Sequence, residues 1–139
     1  MTLLQEIETL ALELDLFDDV MDKYEYIIEL GKALDGLEEK YKSKIYLVQG
    51  CQSQVWLHAF TQDGLVYFEA DGDALIVRGL IAMLIRIYSR RSAQEILESS
   101  SSDLEVLGLS EIISAGRQNG ITSMLKRIYD FAEEVKDDK

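Results

Sequence analysis

The sequence predicts an α+β fold, a small three-stranded antiparallel sheet with several helices packed on it. Apolar residues recur at helical spacing towards both ends of the chain. Between Lys44 and Ala70 the pattern changes to short runs of β-forming residues. A stretch that is apolar nearly all round then follows, Ala74 to Tyr88, as expected of a central helix buried against a sheet.

Taken in order, Leu3, Leu4, Ile7, Leu10, Ala11 and Leu14 form the apolar stripe of a first helix from about Thr2 to Leu14, broken by Asp15 to Asp18. A second helix starts near Asp19. It carries Tyr24, Ile27, Ile28 and Leu34 on one face, with Gly36 as its stop. Tyr24 and Tyr26 are read as packing residues. After a charged connector, Glu38 to Lys44, strands are expected at Lys44 to Val48, Val55 to Thr61 and Leu65 to Ala70. Gln62-Asp63-Gly64 supplies the turn between the last two. Asp71-Gly72-Asp73 ends the sheet, with Asp73 placed to cap the central helix. Ser92-Ala93-Gln94-Glu95 matches a capping box for a short helix. Glu98 to Asp103 reads as a flexible loop, and Ser102-Asp103-Leu104-Glu105 as a second capping box, for a short helix ending near Gly108. The last helix begins near Ala115 and places Ile121, Met124, Leu125, Ile128, Ala132 and Val135 at core spacing, with a frayed tail from Lys136 to Lys139.

The 139 residues suit one domain, residues 1–139, with a core that needs no covalent staples. A net charge of −12 argues against nucleic acid or an anionic membrane surface as partner. It is compatible with a plain solvated surface or with a partner that offers a basic docking patch. Glu6 and Glu8 fall where a secretory signal would need an apolar run, and Arg78 and Arg86 interrupt the longest apolar stretch, so a cytoplasmic protein is expected.

The chain has one cysteine, Cys51, within Gly50-Cys51-Gln52-Ser53-Gln54. A single thiol excludes an internal disulfide, a Cys-x-x-Cys redox pair and a thiolate-rich metal site. Glycine before it and three polar side chains after it place the thiol at a loop tip between the first two strands, where backbone N–H groups could stabilise an anion. A reactive thiol and a structural one both fit the residues. The only histidine, His58, alternates onto the strand face shared with Trp56 and Phe60. It is read as a half-buried strand residue in preference to the base of a catalytic dyad. Trp56 is read as core.

Gly50-Cys51-Gln52-Ser53-Gln54-Val55-Trp56 resembles the signature of the SufE family, sulfur acceptors that work with cysteine desulfurases in iron–sulfur cluster assembly. Three further blocks resemble that family in the same order: Tyr24 to Gly31, Asp73 to Leu80, and Arg117-Gln118-Asn119-Gly120 with Ser123-Met124-Leu125. The resemblance implies a SufE/IscU-like architecture and sulfur transfer. Cys51 would attack the outer sulfur of a desulfurase persulfide and carry it as its own persulfide. The chain would act as the sulfurtransferase-like partner of a SufS-like desulfurase and not as a stand-alone enzyme. It would stimulate the desulfurase, pass sulfur to a downstream cluster-assembly scaffold, and work as a monomer or weak homodimer. It would need no cofactor, since pyridoxal phosphate belongs to the desulfurase. The alternative is an adaptor whose loop docks without carrying sulfur.

Around the thiol, Gly50, Gln52, Ser53 and Gln54 are candidates for ordering the loop or meeting the partner. Asp73 is a candidate for shaping the loop as well as capping a helix. Arg117 is a candidate for stabilising the anion or meeting the partner, its alternative being a surface ion pair. The family usually carries a hydroxyl residue directly before that arginine. Ala115-Gly116 stand here instead, so no hydroxyl contact is expected there and the helix start is expected to be loose. A carrier gains from hiding its sulfur until docked, so Cys51 is expected to be largely shielded in the free protein.

Overall fold

The computed structural model describes residues 1–136. Helix α1, Leu3–Asp15, opens with a full capping box, Thr2 accepting from the Gln5 N–H while the Gln5 side chain accepts from the Thr2 N–H. It buries Leu3, Ile7, Leu10, Ala11 and Leu14. Leu4 departs from the expected stripe and is exposed, because it lies a full residue off the inward face. Helix α2, Val20–Lys32, is capped by Asp19, whose carboxylate accepts from the Met21 N–H at 2.7 Å. It ends a turn before Gly36, which takes a positive φ in the connector beyond. A short 3-10 turn, Glu39–Tyr41, follows.

Among the described residues the sheet has two strands where three were expected. Strands β1, Val55–Gln62, and β2, Leu65–Gly72, pair antiparallel with Val55 opposite Gly72 and Gln62 opposite Leu65. Lys44 to Val48 folds instead as a turn, with the Tyr46 and Leu47 N–H groups donating back to Ser43 and Lys44. Spent locally, those donors cannot build a ladder, and the segment touches the sheet only through a single bridge between Leu47 and Trp56. Two bonds flank that bridge, Leu57 N–H to Tyr46 C=O and Val48 N–H to Val55 C=O, each 2.8 Å.

Helix α3, Leu75–Tyr88, lies at the centre and buries Ile76, Val77, Leu80, Ile81, Met83, Leu84, Ile87 and Tyr88. It crosses α2 at backbone contact: a Cβ added at Gly79 would lie 2.1 Å from the Ile27 carbonyl oxygen. Helix α4, Ala93–Glu98, is capped by Ser92. The box there is only half made, because Glu95 turns away to accept from the Leu3 N–H at 2.8 Å and so ties α1 to α4. The second box sits two residues earlier than expected. Ser100 and Asp103 form it, and it opens a 3-10 turn, Ser101–Leu107, closed by left-handed Gly108, so part of the expected flexible loop is regular. A four-residue helix α5, Leu109–Ile112, precedes α6, Ala115–Val135. Helix α6 buries Ile121, Met124, Leu125, Ile128 and Ala132, as its spacing predicted. Of the expected frayed tail, residues 137–139 lie outside the described residues.

Candidate functional site

The thiol loop, residues 49–54, is closed at its far end by a reciprocal pair of bonds. The Asp73 carboxylate accepts from the Gln54 N–H, and the Asp73 N–H donates to the Gln54 carbonyl, both at 3.2 Å. Asp73 therefore does not cap α3. The N-cap position belongs to Ala74, which offers no side-chain acceptor, and the Asp73 carboxylate is spent on the loop. At its near end Gly50 holds φ at +87°, a left-handed conformation that glycine adopts without a steric penalty.

Between those anchors the loop lies on one face of α6. Gly50 meets Ser123, Cys51 meets Gly120 and Gln52 meets Gly116, at positions spaced along consecutive turns of the helix. The Cys51 thiol donates to the Gly120 carbonyl at a sulfur–oxygen distance of 3.8 Å. Beside the sulfur is a cavity of about 30 Å³. Its walls come from the loop (Cys51, Gln52, Ser53), from Val55 of β1, from Val77, Leu80 and Ile81 of α3, and from Gly116, Arg117, Gly120, Ile121 and Met124 of α6. Cys51 is half-buried, less shielded than expected, while Gln52 and Gln54 are exposed. Burial pushes the Cys51 thiol above its ordinary value, so the resting group is a neutral S–H donor.

Arg117 sits in the first turn of α6, its N–H donating to the Ser114 hydroxyl at 3.3 Å. Ser114 thus caps the helix start with its hydroxyl, although the position directly before Arg117 is a glycine. Among the described residues the Arg117 guanidinium makes no ion pair, and its Nη1 is buried without a hydrogen-bond partner on the cavity wall. The surface ion pair considered for it is absent there.

His58 stands apart from the thiol. Its ring stacks on Tyr41 at a centroid distance of 3.9 Å, and Nδ1 lies 3.1 Å from a Glu69 carboxylate oxygen. Trp56 shares that outer sheet face. It is half-exposed with the Lys42 ammonium 5.9 Å from its ring centroid, and so is not the core residue expected. Tyr24 and Tyr26 pack against the core as anticipated. No group of three or more His, Cys, Asp or Glu side chains suited to a metal ion occurs among the described residues. Nor, among them, is any helix long and apolar enough to cross a membrane.

Gly116, Gly120 and Ser123 were not among the expected site residues, although Gly120 and Ser123 stand in a block that resembles the family. Their signal was available as three small residues at i, i+4 and i+7 on one helical face. Read from the sequence, Gly116 only loosened a helix start.

Fold and site together describe an α+β protein that presents one loop thiol, seated over an apolar cavity between its central and last helices. The chain belongs to the SufE family: a profile of that family, described as an Fe-S metabolism associated domain, matches residues 8–132. Its role accordingly lies in iron–sulfur metabolism. An uncharacterised SufE-like protein of Rhizobium etli is 43% identical over 121 residues, covering 84% of this chain and 82% of that protein. One of Rhizobium meliloti is 44% identical over 121 residues, covering 84% and 86%. SufE-like protein 1, chloroplastic/mitochondrial, of Arabidopsis thaliana is 38% identical over 131 residues, which cover 88% of this chain and 35% of that longer protein. The solution structure of a hypothetical protein from Thermus thermophilus shares the fold, with a TM-score of 0.77 at 16% identity over 93% of this chain and 94% of the other.

Proposed function

We propose that this protein accepts sulfur from a pyridoxal-phosphate-dependent cysteine desulfurase onto Cys51, stimulates that enzyme and hands the sulfur on for cluster assembly. The observation that carries the reading is the lone thiol set over a small apolar cavity with an unpaired arginine nitrogen in its wall. The transfer is an exchange. The Cys51 thiolate attacks the outer sulfur of the desulfurase's cysteine persulfide, a new sulfur–sulfur bond forms, and the old one breaks. The desulfurase cysteine leaves as a thiolate and takes up a proton, while Cys51 has given one up, so no oxidant is consumed.

The geometry suits a guarded carrier. At rest the thiol is protonated and hydrogen-bonded to the Gly120 carbonyl, hence a poor nucleophile. Carried out of the cavity into a more polar setting, it loses the desolvation that raised it and becomes reactive. A cavity of about 30 Å³ leaves space for one further atom beside the sulfur. Returned there, the outer sulfur of a Cys51 persulfide lies away from competing thiols, with the Arg117 guanidinium beside its negative charge. The protein supplies no second cysteine to displace it.

The test is intact-mass analysis after incubation with a cysteine desulfurase and free cysteine. One sulfur atom is expected on the wild-type chain and none on Cys51→Ser; an adduct that survives the substitution sinks the reading. Arg117→Met is expected to load poorly while folding normally, because the buried nitrogen has no partner to lose. The quiet resting thiol also favours a second reading, an adaptor that docks without carrying sulfur. In that case Cys51→Ser stimulates a desulfurase as well as wild type does.

A further inference from the structure

Three contacts seat the thiol loop on α6, and the tightest is the outermost. A Cβ added at Gly116 would lie 2.2 Å from Gln52 Nε2 and 2.3 Å from Gln52 Cδ. The Gln52 amide therefore occupies the space that any side chain at 116 would fill. By contrast, a Cβ at Gly120 would sit 3.5 Å from the Cys51 sulfur, an ordinary contact. Glycine is a poor helix former, and Gly116 stands in the first turn of a helix already capped by Ser114. Its use here goes to the loop: the missing side chain lets Gln52 reach over the helix backbone, one residue beyond the thiol.

We infer that Gln52 and Gly116 form a clasp that sets how often Cys51 leaves its cavity. Both are positioning residues for the thiol, acting through the loop and touching no sulfur. The clasp matters for sulfur transfer only if Cys51 is the acceptor proposed above, but its existence is independent of that reading. Closing the clasp packs Gln52 on α6 and keeps Cys51 donating to the Gly120 carbonyl. Opening it frees the segment between the Gly50 hinge and the Gln54–Asp73 anchor, leaving both ends of the loop attached.

The test is a double-variant cycle read by the rate at which a bulky maleimide labels Cys51 in the native protein at one pH. Gly116→Ala is expected to speed labelling about three- to fivefold by raising the open fraction of the loop, a modest factor because the atoms its Cβ strikes are the free end of the flexible Gln52 side chain. Its melting temperature should hold or rise, since alanine is the better helix former. Gln52→Ala is expected to speed labelling as well. With Gln52 already truncated, adding Gly116→Ala should change the rate by less than about twofold, because the pair acts as one unit. A Gly116→Ala protein that labels at the wild-type rate overturns the clasp. So does a Gln52→Ala protein that labels no faster, or a Gly116→Ala effect of equal size in both backgrounds. Labelling needs no desulfurase, and sulfur loading measured separately on the same variants distinguishes a failed clasp from a failed acceptor.

Discussion

Gly50→Ala offers a direct measure of what closing the thiol loop requires. The residue holds φ at +87°, and a Cβ there would lie 2.5 Å from the Ser123 hydroxyl oxygen. A left-handed backbone costs a non-glycine residue about 1–2 kcal/mol. Turning the Ser123 side chain out of the way adds about 0.5–1 kcal/mol. Their sum, about 1.5–3 kcal/mol, falls on the closed loop alone, because an open loop relaxes its dihedrals, and it raises the open fraction roughly ten- to a hundredfold. The assay is alkylation of Cys51 by a bulky reagent under native conditions. It is repeated at urea concentrations below the unfolding transition, so that local opening and not global unfolding is read. In a Ser123→Ala background the clash disappears and the strain remains, so Gly50→Ala should still accelerate labelling, by a smaller factor. Labelling of Gly50→Ala within about twofold of wild type would refute the reasoning, since a population shift of that size is well below what the strained φ requires.

Two further outcomes follow from burial and packing. Because desolvation raises the Cys51 thiol, alkylation of the native protein should climb with pH through a midpoint above that of the urea-unfolded chain; a native midpoint at or below the unfolded one contradicts the neutral resting state. The sign for stability is that the contribution from the buried neutral thiol is complete below the unfolded value, and it is lost as pH rises towards the folded one. Gly79→Ala should destabilise by about 1–3 kcal/mol even after the gain from a better helix former, lowering Tm by about 3–10 °C. The atom it strikes, the Ile27 carbonyl oxygen, belongs to a helix backbone that cannot swing aside. An unchanged or raised Tm would mean that α2 and α3 are not in backbone contact.

Local chemistry accounts for most of what could be read in advance. The buried faces of α1, α3 and α6 follow from side-chain periodicity, which a single chain segment carries by itself. Caps were harder to assign where two acceptors competed. Ser100 and Ser102 stand in the same serine run, and Ser100 makes the box, at the start of a turn that buries Leu104 and Leu107. The missing third strand has a similar cause. Lys44 to Val48 is rich in β-formers, yet the Tyr46 and Leu47 N–H groups close a local turn and are not free for a ladder. Asp73 illustrates the same competition, a good helix cap by position that bonds instead to a backbone N–H nineteen residues away in sequence.

The sequence by itself determined that one thiol, Cys51, stands in a polar loop among short β-forming runs, and its motifs already resembled the SufE family. Residue type, glycine placement and periodicity are properties of neighbours along the chain, so they are legible there. The state of that thiol was decided only by tertiary structure. Its burial, its proton shared with the Gly120 carbonyl, and the Arg117 nitrogen beside its cavity all depend on α6, a helix that starts more than sixty residues later. No local pattern reports a contact between segments so far apart, because which helix face meets which loop is settled by how the whole core packs.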